Sequence, residues 1–231
     1  MEIANKQSGI PAQSHSSIKL FEQCPRKYYH LRVLKDVQES VSEAMSYGSD
    51  FHKAAEDYVQ EDAPLPGRFN YVKNVLDTLK TFPGERLCEY KLGLTKKLEP
   101  CGFADANVWF RGIIDLVILD HKTGEARVLD YKTGKSTKYA DTGQLELMSL
   151  GVFKHFPTIT KIRAALLFVA CNALVKDRYD ATMQPTLWQK WLRKYARIEA
   201  AYANNVWNPS PSGLCRKHCA VVSCSHNGAN S

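Results

Sequence analysis

Asp115, Asp130 and Lys132 are the residues whose types and spacing best suit catalysis. Asp115 lies within the run Gly112-Ile113-Ile114-Asp115-Leu116-Val117-Ile118-Leu119-Asp120, and Asp130 and Lys132 end the run Glu125-Ala126-Arg127-Val128-Leu129-Asp130-Tyr131-Lys132. If residues 121–124 form the loop of a hairpin, Asp120 pairs with Glu125, and the same register sets Asp115 opposite Asp130. Directly opposed side chains share a face of the sheet, about 5.5 Å apart. Lys132, two residues beyond Asp130, joins that face. A slip of one residue would undo the arrangement.

Two facing carboxylates repel, and Asp115 sits among Ile113, Ile114, Leu116 and Val117, where a lone charge is costly to bury. A hard divalent cation compensates well: Mg2+ or Mn2+ takes carboxylate oxygens, a strand carbonyl and water. Lys132 would then orient or deprotonate an attacking water, or neutralise developing charge. The plainer alternative is a cross-strand ion pair between Asp115 and Lys132, worth about 0–1 kcal/mol at a surface. Nucleotide hydrolysis is not indicated. Gly134-Lys135-Ser136 looks like the end of a phosphate-binding loop, but Leu129 stands where that motif needs its first glycine.

Seven cysteines form a second candidate. Cys88, Cys101 and Cys171 are scattered and read as buried thiols. Cys215, Cys219 and Cys224 cluster near the C-terminus, as metal ligands do. No apolar leader precedes them, so a disulfide framework is not expected and an intracellular, cytoplasmic setting is.

The elements that must carry these residues follow from periodicity. Ser17 starts a helical stretch with Ile18, Phe21, Tyr28, Tyr29 and Leu31, interrupted by Pro25. Further helices are expected over 45–60 and 69–79, then strands over 87–94, 108–119 and 125–131. A buried helix over 140–156, a strand over 162–170 and a long helix over 183–206 follow, and a Pro-, Gly- and Cys-rich tail ends the chain. The expected division is a polar tail (1–15), a helical segment (16–85), an α/β core (86–206) and the tail (207–231), packed back on the first helix. Hydrophobic residues make up 44% and charged residues 24% of 231, which argues against disorder. No apolar run spans a membrane. With 31 basic and 24 acidic residues, the net charge of +7 permits a polyanionic partner without demanding one.

Taken together, these segments resemble the RecB-like branch of the PD-(D/E)XK nuclease superfamily. Gly112-Ile113-Ile114-Asp115 followed by Asp130-Tyr131-Lys132-Thr133-Gly134 looks like its catalytic hairpin. Phe21-Glu22-Gln23-Cys24-Pro25-Arg26-Lys27-Tyr28 resembles its opening helix, and Gly48-Ser49-Asp50-Phe51-His52 with Glu56 its glycine–histidine helix. Gln144-Leu145-Glu146-Leu147 resembles the glutamine motif after the hairpin. The resemblance runs from about Ser16 to Cys224, and stand-alone phage nucleases and the iron–sulfur nucleases of CRISPR spacer acquisition share it. It implies a restriction-endonuclease-like core, a mixed central sheet flanked by helices. Asp115, Asp130, the Tyr131 carbonyl and His52 would hold the metal, Lys132 would be the catalytic lysine, and Gln144 would contact it or the substrate. Without the resemblance, His52 reads as a helix residue paired with Glu56. The spacing His52-x-x-x-Glu56 is not the zinc-peptidase motif. Glu89 is a further acidic candidate. The sequence departs from the branch at Ile114, where proline is common, and at Met148, where a tyrosine is usual.

The resemblance also supplies a fourth cysteine, Cys24, ahead of the histidine motif. It implies a structural [4Fe–4S] cluster on Cys24, Cys215, Cys219 and Cys224. A zinc site using His218 or His226 competes, as do plain thiols. The implied function is a Mg2+- or Mn2+-dependent DNA nuclease, with exonuclease action on single strands or ends favoured over endonuclease action. The rival is a repurposed fold acting as a nucleic-acid- or partner-binding adaptor. Arg26, Lys27, Arg111, Lys135 and Lys138 flank the site and are candidates for strand contacts or for a solvated surface. Oligomeric state is left open.

Overall fold

A four-residue turn organises the sheet. Asp120 Oδ1 accepts hydrogen bonds from the backbone N–H of Lys122 and Thr123 at 3.0 and 3.3 Å, and the N–H of Gly124 donates to the Asp120 carbonyl at 2.9 Å. Gly124 takes a φ of 69°, a left-handed value that glycine adopts without steric cost. This turn pairs Asp120 with Glu125 and so fixes the register of the whole hairpin.

The computed structural model describes residues 9–39 and 42–230. In chain order its main elements are α1 (His15–Gln23), α2 (Pro25–Tyr28), a π-helical turn (Tyr29–Leu34), α3 (Glu43–Gln60) and α4 (Lys73–Thr81). There follow β1 (Glu85–Leu94), β2 (Pro100–Cys101), β3 (Phe110–Asp120), β4 (Glu125–Lys132), α5 (Gly143–His155), β5 (Lys161–Phe168), β6 (Ala173–Asp180) and α6 (Gln184–Asn204). Contacts divide the chain into one unit of residues 41–189 and another of residues 1–40 with 190–231.

The first of these units holds one mixed sheet in the order β2-β1-β3-β4-β5-β6. Only β4 and β5 run parallel, and α5 is their crossover. The Ser42 hydroxyl caps α3 by accepting from the Met45 N–H at 3.3 Å. Phe51, Ala54, Ala55, Tyr58 and Val59 form the buried stripe of α3, at helical spacing. With Leu76 and Leu79 of α4 they cover Leu116, Leu129, Tyr131 and Leu167 of the sheet. On the strand side, α5 is buried nearly all round, and a Cβ at Gly151 would lie 2.8 Å from the Leu92 Cδ2 methyl, so a larger residue there would require that side chain to shift. The expected mixed sheet flanked by helices is therefore present.

The strands β2 and β6 lie outside the elements expected from the sequence, and α5 starts at Gly143 rather than near residue 140.

In the other unit, Ser14 and Ser17 form a capping box on α1, and Pro25 opens α2 where its missing N–H costs nothing. Of the expected polar tail, residues 1–8 lie outside the described residues. Gln13 is buried and donates from Nε2 to the Tyr28 hydroxyl at 3.0 Å. Tyr28 stacks on Trp207 with ring centroids 6.0 Å apart, and Glu22 meets Lys194 at 2.7 Å. Among the described residues no helix is long and apolar enough to cross a membrane.

Candidate active site

The β3–β4 ladder runs from Asp120 with Glu125 to Leu116 with Leu129 and stops there. The next positions in that register are Asp115 and Asp130. In place of a ladder bond, the N–H of Tyr131 donates to Asp115 Oδ2 at 2.5 Å. On the other side, β1 and β3 pair Cys88 with Leu116 and Tyr90 with Ile114, so Glu89 falls opposite Asp115. Glu89 adopts a φ of 46°, uncommon for a residue with a side chain and typical of positions where backbone strain is tolerated for function. Three carboxylates thus stand abreast on three neighbouring strands: Glu89, Asp115 and Asp130.

His52 meets this row from α3. It sits beside Phe51 at the edge of the buried stripe, so packing of Phe51 on Tyr131 delivers the imidazole to the sheet. Its Nδ1 is 3.1 Å from Asp115 Oδ1 and 3.8 Å from Glu89 Oε1. Donor atoms of His52, Glu89 and Asp115 all lie within 4.8 Å of one another. Glu56 turns instead to Lys53, at 3.2 Å. Asp130 is held on its other side: Lys132 Nζ is 2.6 Å from its Oδ2, and Gln144 Nε2 donates to its Oδ1. Lys132 also donates to Gln144 Oε1 at 2.8 Å. Lysine, glutamine and aspartate therefore close a ring of contacts from β4 to the first turn of α5. The lysine pairs with Asp130 and not with Asp115.

Asp115 is 7% and Asp130 3% exposed, so neither charge is screened by water as a surface charge is. Burial and the neighbouring Asp115 charge push the Asp130 carboxyl up to about 6, against the pull of Lys132. For His52, burial favours the neutral ring, but hydrogen bonds to Asp115 and Glu89 outweigh it and raise the imidazole to about 10. The Asp115 carboxylate contributes to both shifts, second to burial at Asp130 and against burial at His52. The donor set, two carboxylates and an imidazole backed by a third carboxylate, fits a divalent cation. These groups line an open cleft of about 860 Å³ that also includes Glu56, Thr133 and Gly134.

Sequence reasoning placed Asp115, Asp130, Lys132, Gln144 and His52, and all five line this cleft. Glu89 was only a further candidate there, yet it joins His52 and Asp115 in the donor group. Its signal was a charged residue inside a strand. The Tyr131 phenol is buried in the core against Phe51. Lys135 and Lys138 are exposed on the loop between β4 and α5, with Lys138 Nζ 5.4 Å from the Tyr139 ring centroid. Arg111 is exposed over the Phe103 ring. Arg26 and Lys27 belong to the other unit, where Lys27 pairs with Glu39 at 2.7 Å.

In that unit Cys24, Cys215, Cys219 and Cys224 line one small pocket, about 20 Å³, together with His226. Cys24 Sγ caps α2 by accepting from the Lys27 N–H and also accepts from the Ser210 N–H, each at 3.4 Å. Asn227 is buried and donates to the carbonyls of Cys219 and Val221, which fixes the backbone around the thiols. Among the described residues, His52, Glu89 and Asp115 are the one trio whose donors close to 4.8 Å.

The chain belongs to the PD-(D/E)XK nuclease superfamily, whose family model matches residues 12–224. Its fold and its donor group are those of a metal-dependent nuclease, an enzyme of nucleic acid. A provisionally assigned exonuclease of Eubacterium rectale has a similar fold, with a TM-score of 0.53 and 13% identity over 94% of this chain and 88% of that one. The crystal structure of SSO0001 is more distant, with a TM-score of 0.39 and 14% identity over 80% of this chain and 79% of that one. No curated protein matches the sequence significantly.

Proposed function

We propose that the protein is a Mg2+- or Mn2+-dependent deoxyribonuclease of the RecB-like branch, acting as an exonuclease on single strands or DNA ends. The observation that carries this reading is the row Glu89, Asp115 and Asp130 with His52 against it and Lys132 held beside it. His52, Glu89 and Asp115 would hold the ion, with Asp130 and the Tyr131 carbonyl at the margin of the same site. Such an ion supplies Lewis acidity toward a phosphoryl oxygen and toward water.

The chain's own residues do the rest. Asp130 and Gln144 fix the Lys132 ammonium at the rim of the cleft, so the cation is oriented before substrate arrives. Lys132 stabilises negative charge growing on the phosphoryl group, or holds the attacking water and takes part in its proton transfer. Asp115, with one oxygen fixed by the Tyr131 N–H, keeps the other turned to His52.

A single-strand preference draws support from the loop between β4 and α5. Tyr139 is 82% exposed there beside Lys138, an aromatic face that a base could stack on next to charges that could meet phosphates. Arg111 and Lys135 extend the same role; Arg26 and Lys27 are a second basic group. The cysteine pocket is read as a structural [4Fe–4S] site joining Cys24 to the tail. Convergence of four thiols on one pocket supports the cluster, with zinc on three of them and His226 as the competitor. Digestion of strands labelled at either end, single- and double-stranded, tests the reading. Mononucleotides or short products released progressively from one end support exonuclease action, and internal cuts in closed circles contradict it.

A further inference from the structure

A second charged row crosses the same sheet. Arg127 on β4, Arg163 on β5 and Arg178 on β6 are direct partners in register. Like charges directly opposed on neighbouring strands destabilise a sheet, so three abreast are not explained by folding. Alternation along β4 puts Arg127 on the face opposite to Asp130. Local groups offset part of the charge: Arg127 lies over the Phe82 ring at 3.9 Å, and Glu125 meets Arg163 at 3.2 Å.

The face changes character along the strands. Two residues on, Leu129, Ala165 and Lys176 stand abreast, and two further on Leu167 and Leu174 do. Each step is about 6.5–7 Å. Val75 and Leu79 of α4 wall one side, and the whole forms a groove of about 460 Å³. Leu174 is 50% exposed on the floor. The strand at this side, β6, pairs only with β5 and ends the sheet.

We propose that this groove binds an extended acidic peptide of a partner protein, laid alongside β6. Its pattern is acidic, any, acidic, any, apolar: carboxylates opposite Arg178 and Lys176, and a bulky apolar side chain opposite Leu174. An edge strand accepts such a segment through its main chain, and alternate side chains then read the face. The grading from basic to aliphatic over about 13 Å matches four residue steps of extended chain, the span of this five-residue pattern. A nucleic acid fits less well, because the floor is aliphatic and the ring of Phe82 is already covered by Arg127. The inference does not depend on the metal site.

The test uses the full chain and a fluorescein-labelled synthetic nonapeptide with Asp-Thr-Asp-Thr-Phe at its centre, followed by anisotropy. Saturable binding is expected, weakened at least tenfold by Arg178→Glu and by Leu174→Asp. Leu174 is half exposed, and Arg178→Glu removes one of three opposed like charges, so neither variant's thermal melt should fall. A peptide with the same composition but the two aspartates adjacent to the phenylalanine should bind at least tenfold more weakly. The proposal is overturned if the nonapeptide does not bind up to millimolar protein, or binds both variants as tightly as the native chain. It is also overturned if an oligothymidylate or laurate displaces it and is itself the ligand weakened by Arg178→Glu.

Discussion

Glu89 faces Asp115 across a gap in the β1–β3 ladder, with a left-handed backbone that turns its carboxylate toward His52. That relationship makes Glu89 a member of the candidate metal group. Glu89→Gln should weaken Mn2+ binding and cut cleavage by about two powers of ten, equivalent to about 3 kcal/mol of lost charge stabilisation. Its melting temperature should hold or rise, because one of three crowded carboxylates loses its charge. Calorimetric Mn2+ titration beside a rate measurement checks this. Unaltered binding and rate would place Glu89 outside the site.

Lys132 and Gln144 separate chemistry from positioning. Lys132→Ala should still bind Mn2+ while turnover falls by roughly two to four powers of ten. Gln144→Ala removes hydrogen bonds to both Lys132 and Asp130. Hydrogen bonds to charged groups are worth about 1.5–3 kcal/mol, so turnover should fall about ten- to hundredfold. Should Lys132→Ala abolish metal binding and leave the remaining rate unexplained by chemistry, its role is structural.

The hairpin was legible because its turn is local. Asp120 and Gly124 fix a four-residue loop, and register then places Asp115 beside Asp130 by counting alone. His52 was legible through its motif, since nothing in the helix's own periodicity says which neighbour the ring meets. The Glu89 contact was not legible. It depends on a strand two elements away and on a backbone angle that no pattern in Leu87-Cys88-Glu89-Tyr90 announces. Strand β6 was hidden because edge strands carry charge, and Lys176-Asp177-Arg178 reads as a connector. The arginine row shares that cause: its members lie in three separated segments and meet only through sheet pairing.

The cysteine pocket makes opposite forecasts for its two metals. With a cluster, protein purified without oxygen is brown, with iron and acid-labile sulfide in about equal amounts. Cys24→Ser should bleach it as fully as Cys219→Ser, and both should expose the termini to protease. A colourless protein with one zinc per chain and an indifferent Cys24 would falsify the cluster and leave the nuclease site untouched.

The loop after β4 should govern strand affinity. Replacing Lys135 and Lys138 with alanine should lower the salt dependence of single-strand binding by about 1.4 in log–log slope, at about 0.7 per phosphate. Tyr139→Ala should cost roughly five- to hundredfold in affinity for a base-bearing strand, and Tyr139→Phe little. Binding measured in EDTA keeps the strand intact. Equal loss in Tyr139→Ala and Tyr139→Phe would argue against stacking.

Asp115 meets both His52 and the Tyr131 N–H of the second strand and belongs to the candidate metal group, so it offers the most direct test. Labelled single-stranded DNA incubated with native protein should be degraded with Mn2+ or Mg2+ and stay whole in EDTA. Asp115→Asn, with the same shape and no charge, should leave it whole in all conditions while remaining folded. Degradation in EDTA, or by Asp115→Asn at the native rate, would contradict a metal-dependent nuclease built on this row of carboxylates.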